Sequence, residues 1–238
     1  MKKKLIRCPI CTTLQPYEVD FCVYCNTDFD KTVLKPIEEK QNMKFDTITK
    51  NLEDLGYKVS CFETAEQARD YLDSQIDGVS VGMGGSMTLD ELGIYEKLKA
   101  HNDVYWHQKM GREAIEGAKD ADIYISSVNG IAKTGEIINI DGNCNRVAST
   151  LYGHKKVYFV AGSNKIADDY DSALWRARNV AAPLNARRLG KKTPCAAGEL
   201  KCHNCKSPER ICRALSVLWT KPNGQEYEIV LIAKKLGY

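Results

Sequence analysis

Ten cysteines stand out in the 238-residue sequence, and eight of them fall into two groups of four. Cys8, Cys11, Cys22 and Cys25 form two C-x-x-C knuckles. Each knuckle is a tight turn presenting two thiolates, and two knuckles face to face supply the tetrahedral sulfur set that a structural zinc prefers. Residues 1–30 hold about ten apolar core candidates, from Leu5 to Phe29, whose burial falls short of the ordering cost, so metal ligation would supply part of the missing folding energy. A redox dithiol is the lesser reading, because two matched pairs side by side point to four-fold ligation. A small N-terminal zinc ribbon with four cysteine ligands is the expectation for residues 1–30.

The second group, Cys195, Cys202, Cys205 and Cys212, follows another rule: C-x6-C-x2-C-x6-C, within TPCAAGELKCHNCKSPERIC. One central knuckle flanked by single cysteines is not a common zinc ribbon. From Arg187 to Arg213 there are eight Lys or Arg and two Glu, a local charge of +6, so the rest of the +3 chain totals −3. Four thiolates around Zn²⁺ or a [4Fe–4S]²⁺ core carry about −2 overall, which nearby cations offset. Cations also lower thiol pKa and favour ligation. Spacing alone does not choose between the two; the missing second knuckle tilts the reading toward a [4Fe–4S] cluster over a second Zn²⁺. His203 could replace one ligand. Cys61 and Cys144 remain, inside elements expected to be packed.

Around these cysteines the periodicity is that of an α/β domain. Phe45, Ile48, Leu52 and Leu55 share one helical face that ends at Gly56. Thr64 and Gln67 have capping-box spacing for a helix through Ile76. Strands are expected at 57–62, 79–82, 103–106, 122–126 and 157–161. Helices are expected at 111–119, 143–152 and 169–182, the last stopped or kinked by Pro183. Two alternating runs, 214–220 and 226–233, flank Pro222-Asn223-Gly224 and read as an antiparallel hairpin. The fold class is therefore α/β, with a mostly parallel sheet flanked by helices over 43–238. The cysteine-rich stretch 193–213 is an insertion in that domain, and the polar segment 31–42 with Pro36 is a linker.

Ligands of open α/β sheets bind beyond the carboxyl ends of the strands, and polar and glycine residues collect at those places. Gly82, Gly84, Gly85, Ser86 and Thr88 follow one strand, Asn129 another, and Asn164 with Lys165 a third. Gly142, Asn145 and Arg146 lie where a strand passes into a helix. Glycine permits close backbone approach, and a helix start offers free N–H groups to an anion. These eleven residues are the expected ligand-binding set, with His107 and Asp141 as candidate proton carriers. A dinucleotide fingerprint fails, because position 87 is methionine, and no P-loop is present. Ser86 lies in no nucleophile motif.

Composition narrows the rest. The chain is 43% hydrophobic and 27% charged, and no apolar run approaches the ~20 residues of a membrane span. The opening MKKKLIRCPICTT loses its apolar character after two residues, so no export signal is expected and the location is cytoplasmic. The small net charge ranks nucleic acid last among partners.

Taken together, SVGMGGSMTLDELGIYEKL, INIDGNCNRVASTLYG, VYFVAGSNKI, RNVAAPLNARRL, TPC and CKSPERIC resemble the LUD (lactate-utilisation) domain family over about 43–238. The resemblance implies a fold similar to the sugar-phosphate isomerase and CoA-transferase-like superfamily, whose strand-end loops hold phosphate, carboxylate or thioester groups. It also implies a part in oxidising L-lactate to pyruvate, beside iron–sulfur partner proteins. The ribbon is not part of the usual domain. Two roles follow: an oxidoreductase component binding a small hydroxy or keto acid, or a non-catalytic iron–sulfur electron-transfer or assembly subunit.

Overall fold

A computed structural model describes residues 4–11, 13–22, 24–25, 27–34, 37–38 and 45–238. The amino-terminal unit is a small antiparallel sheet in which β1 (Lys4–Arg7) pairs with β2 (Leu14–Pro16) and β3 (Ile37–Glu38). Of the expected linker 31–42, Lys31–Leu34 make a turn and Ile37 and Glu38 join this sheet; residues 35, 36 and 39–42 lie outside the described residues, as do 43 and 44. Ile6, Phe29 and three of the ribbon cysteines pack against Val180, Trp175 and Leu184 of the main domain, so the ribbon is docked on it.

In chain order the domain runs α1 (Asp46–Asp54), β4 (Lys58–Phe62), α2 (Ala65–Gln75), β5 (Ser80–Met83), α3 (Met87–Leu92) and α4 (Ile94–Lys99). There follow β6 (Asp103–Trp106), α5 (His107–Met110), α6 (Ala114–Lys119), β7 (Ile123–Ser127), β8 (Gly130–Ala132) and β9 (Ile137–Asp141). The remainder is α7 (Asn145–Leu151), β10 (Lys156–Gly162), β11 (Ile166–Ala167), α8 (Tyr170–Arg176), α9 (Ala182–Arg188), α10 (Pro194–Ala197), β12 (Ala214–Leu218) and β13 (Glu226–Ile232). Thr64 closes the expected capping box: its hydroxyl accepts from Gln67 N–H at 3.2 Å, and Gln67 Oε1 accepts from Thr64 N–H at 3.2 Å.

Six strands form the main sheet in the order β4-β13-β10-β7-β5-β6, every pair parallel. Leu72, Leu89, Ile94 and Leu98 bury the helices of one face against Val160 and Val230. On the opposite face Leu52, Ala118, Ile131 and Leu218 pack with Phe159 and Ile229, bringing α1, α6 and the second sheet together. Full burial of each such aliphatic side chain stabilises the fold by ~1.5–3 kcal/mol. No described helix is long and apolar enough to cross a membrane.

Three expectations are corrected. The terminal hairpin does not form: β12 pairs antiparallel with β9 in a second sheet ordered β11-β8-β9-β12, while β13 enters the main sheet between β4 and β10. Residues Tyr227–Ile232 are buried on both faces, as a central parallel strand requires, whereas β12 keeps one side toward solvent. Nor does the long helix stop near Ala182. It continues through Pro183 to Arg188, after a π-helical stretch at Ala177–Ala181. Proline lacks an N–H and its ring crowds the carbonyl four residues back, and the wider turn relieves both. Finally, Cys61 and Cys144 are exposed, not packed.

Candidate functional site

Because every strand of the main sheet is parallel, their carboxyl ends meet along one edge. A cavity of about 680 Å³ opens there. One wall consists of strand ends: Gly85 and Ser86 after β5, His107 and Gln108 after β6, Ser127 to Asn129 around the end of β7, and Lys165 after β10. Asp141, Gly142, Asn145 and Arg146 form the second wall, between β9 and α7. The third comes from Asn185 and Arg188 of α9 and from residues 208–211 and Arg213 of the cysteine-rich insertion.

The turn at Gly84 and the start of α7 do converge. A Cβ on Gly84 would fall 2.9 Å from both Arg146 Cγ and Ser126 Oγ, so only glycine lets Arg146 cross beneath the loop. Arg146 donates to Ser127 O at 3.3 Å, Asn129 Oδ1 at 3.1 Å, Ile140 O at 2.7 Å and Asn139 Oδ1. All four acceptors are neutral. Lys165, 4% exposed, donates to Ser127 Oγ at 2.9 Å and Val128 O at 3.0 Å. Behind it Arg176, 7% exposed, is held by Asn164 O and Asn129 O. Among the described residues no carboxylate forms an ion pair with Arg146, Lys165, Arg176, Arg188, Arg210 or Arg213.

Some of the amides at the two helix starts are engaged by side chains. At α3, Ser86 N–H donates to Gln108 Oε1 and Leu89 N–H to Ser86 Oγ. Asp141 accepts from Gly142 N–H at 2.7 Å, Asn143 N–H at 3.3 Å and Val147 N–H at 3.0 Å. Asp141 Oδ2 thus caps α7 through the Val147 amide, while Oδ1 holds the loop before the helix. Basic side chains add positive charge around the cavity. His107 lies at the cavity and, among the described residues, its ring makes no hydrogen bond. Burial keeps its pKa below that of an ordinary histidine, against the opposing pull of Asp141, so the ring is neutral at pH 7 with a nitrogen able to accept a proton.

Of the eleven expected ligand-binding residues, Gly85, Ser86, Asn129, Gly142, Asn145, Arg146 and Lys165 line the cavity, and four do not. Gly82 packs against Ala118 and Tyr124, where a Cβ would meet Ala118 O at 2.4 Å. Gly84 packs against Arg146 as described. Thr88 is fully buried and donates to Leu236 O at 3.2 Å, and Asn164 clamps Leu236 and Gly237. Arg188, Arg210 and Gln108 were not singled out from the sequence. They reach the cavity from segments that only the fold brings together.

The two cysteine groups differ in geometry. Cys8 and Cys25 Sγ lie 3.4 Å apart, Cys11 and Cys22 Sγ 3.3 Å, and all four sulfurs lie within 4.8 Å of one another. A tetrahedral zinc with bonds of ~2.3 Å sets its sulfurs about 3.8 Å apart, so these residues fit one metal ion. Thr13 and Thr27 stand two residues after each knuckle, with hydroxyls 2.9 Å from Cys11 Sγ and 3.0 Å from Cys25 Sγ. Gln15 Nε2 donates to Cys22 Sγ at 2.9 Å. In the second group all four cysteines, with His203, line one small cavity. No three of their sulfurs come within the spacing of the first group. Arg210 holds the carbonyls of Cys212 and Cys205 at 2.7 and 2.8 Å, and Arg178 lies 3.5 Å from Cys202 Sγ. Arg210 and Ile211 line both this cavity and the larger one at the strand ends.

A family model for the LUD domain matches residues 45–232. The chain belongs to the LUD domain family. In structure it is similar to a DUF162 family protein from Deinococcus radiodurans, at 12% identity and a TM-score of 0.47, covering 79% of this chain and 95% of that one. A weaker likeness, 13% identity and a TM-score of 0.28, is to eIF2B beta from Chaetomium thermophilum, over 54% and 44% of the two chains. No curated protein matches in sequence. The LUD match takes in all but Tyr238 of the strand-end cavity's lining and the whole second cysteine group. The N-terminal cysteine cluster lies outside it, as an addition docked on the helix that carries Arg188.

Proposed function

We propose that this LUD domain binds a small anionic metabolite of the 2-hydroxy or 2-oxo acid class, in a cytoplasmic role tied to lactate utilisation. One observation carries this reading: Arg146, Arg188, Lys191, Arg210 and Arg213 surround a single cavity that, among the described residues, only two carboxylate side chains, Asp141 and Glu209, also line. A surplus of cations held by neutral acceptors favours an anionic ligand, because desolvated positive charge is costly until it is paired. Arg146 and Arg188 would orient the carboxylate, and His107 would exchange a proton with the hydroxyl or carbonyl oxygen of the ligand. In a thermal-shift panel of lactate, pyruvate, 2-oxoglutarate and inorganic phosphate, a ligand at 100 times its Kd adds ~2.7 kcal/mol of stability. That corresponds to a rise of roughly 5–10 °C in Tm for a domain of this size. Arg188→Ala should abolish most of it. Equal shifts in wild type and variant, or none with any of the acids, would reject the site.

The second reading is an iron–sulfur subunit that serves partner proteins of lactate oxidation. Its support is the second cysteine group, whose sulfurs line one cavity yet stand further apart than one zinc would hold them. Thiolates on a four-iron cluster are more widely spaced, because four metals stand between them. Zinc is the proposed ion for Cys8, Cys11, Cys22 and Cys25, and a [4Fe–4S] cluster, with zinc as the alternative, for Cys195, Cys202, Cys205 and Cys212. Anaerobically purified protein should be brown and hold zinc and iron together. A colourless protein with two zinc ions would remove the cluster.

A further inference from the structure

The side-chain amine of Lys165 has an environment that no binding role requires. It stands at the end of the central strand β10, 4% exposed, with its Nζ given over to two neutral oxygens and the cavity beside it. A lysine so placed normally has a carboxylate partner. Here the nearest formal charges of consequence are the Arg176 and Arg146 guanidinium groups, and Glu91 acts more weakly in the opposite sense. Burial first, and the two arginines after it, keep the amine well below the basicity of an ordinary lysine. An unprotonated amine retains the lone pair that ammonium lacks.

We propose that Lys165 is a nucleophilic amine that forms a Schiff base with the carbonyl carbon of a 2-oxo acid held in the cavity. The inference rests on the anion-site reading and deepens it by assigning the chemistry of one residue. The Nζ lone pair forms the C–N bond, the carbonyl oxygen leaves as water with the two amine protons, and a neutral imine results. No electrons are exchanged and no co-reactant is needed. Arginine side chains around the cavity would fix the carboxylate, and a desolvated lysine beside other cations is the kind that attacks carbonyls at neutral pH. His107, on the same cavity and with its ring free of partners among the described residues, would relay a proton to the departing oxygen.

The experiment is reductive trapping on the full chain at neutral pH. Protein is incubated with pyruvate and cyanoborohydride, which delivers hydride to an imine carbon, and is then digested and mapped by mass spectrometry. The expected result is a single adduct on the peptide carrying Lys165, absent when lactate replaces pyruvate and competed by added lactate. Lys165→Met should lose it, and so should Lys165→Arg, which keeps a cation in place and guards against mere misfolding. No adduct, or adducts spread over exposed lysines and unchanged in both variants, would overturn the proposal. If trapping fails while lactate and pyruvate still raise Tm, the amine chemistry falls and the anion site stands. If both fail, the site reading falls as well.

Discussion

Glu228 gives the sharpest quantitative test of how the main sheet is held together. Its carboxylate belongs to β13, the strand next to the edge of the parallel sheet, and is fully buried. Lys156 Nζ at 2.8 Å, Lys58 Nζ at 3.0 Å, Ser60 Oγ at 2.8 Å and Tyr71 Oη at 2.6 Å all reach it. Burial alone would raise its pKa; the hydrogen bonds from Lys156, Tyr71, Ser60 and Lys58 overrule it and bring it from 4.5 to about 2. A carboxyl group depressed this far contributes about 3 kcal/mol at neutral pH. The sign is that of any lowered acid: the contribution is complete above the unfolded value of ~4.5 and is lost as pH falls toward ~2. Glu228→Gln should therefore cost about 3 kcal/mol at pH 7, or a Tm loss of roughly 6–12 °C. Urea denaturation of both proteins from about pH 7 to pH 3 should show the gap closing as the solution is acidified. Metal release at low pH affects both alike and cancels in the difference. A gap that stays constant with pH, or one below ~1 kcal/mol at pH 7, would refute the assignment of the stabilisation to the ionised carboxylate.

Three further outcomes follow from the geometry. Gly84→Ala would place a Cβ 2.9 Å from Arg146 Cγ, so overpacking of ~1–3 kcal/mol and weaker anion binding should appear together in melting and titration curves. Asp141→Asn should cost about 1 kcal/mol through the α7 cap. It should leave anion affinity unchanged or higher, since it removes a negative charge from the cavity, and a large loss of affinity in calorimetry would restore Asp141 to a ligand-handling role. Cys22→Ser should lose the ribbon metal by elemental analysis and make residues 4–34 protease-sensitive, while the Cys195–Cys212 region keeps its own metal content; loss of both metals together would show that the two centres do not fold separately.

Local rules were legible in the sequence where neighbours in the chain decide the structure. Thr64 and Gln67 cap α2 because both bonds close within four residues, and the C-x-x-C knuckles gather their sulfurs because each turn is short. Periodicity placed β7 and β10, whose residues are buried on both faces. What the sequence did not disclose depends on partners far along the chain. The Pro-Asn-Gly turn suggested a hairpin, but Tyr227–Ile232 gain more from burial between β4 and β10 than from pairing with half-exposed β12. Glycine-rich helix starts suggested free amides, yet Gln108 and Asp141 take those of Ser86 and Val147. Arg188 and Arg210 carry no local mark of function. Only the fold of α9 and of the cysteine-rich insertion turns them toward strand ends that are remote in sequence.

The position of β13 also sets the order in which the molecule can be built. Lys58 pairs across from Glu228, and β10 takes the other side of the same strand. While the ribosome is still adding residues before Glu226, at ~5–20 per second, β4 has no neighbour and β10 shows a bare apolar flank. Such a flank is a template for foreign strands, and distant pairings of this kind close slowly. β13 is thus the keystone of the sheet, seated only after both strands it joins have been made.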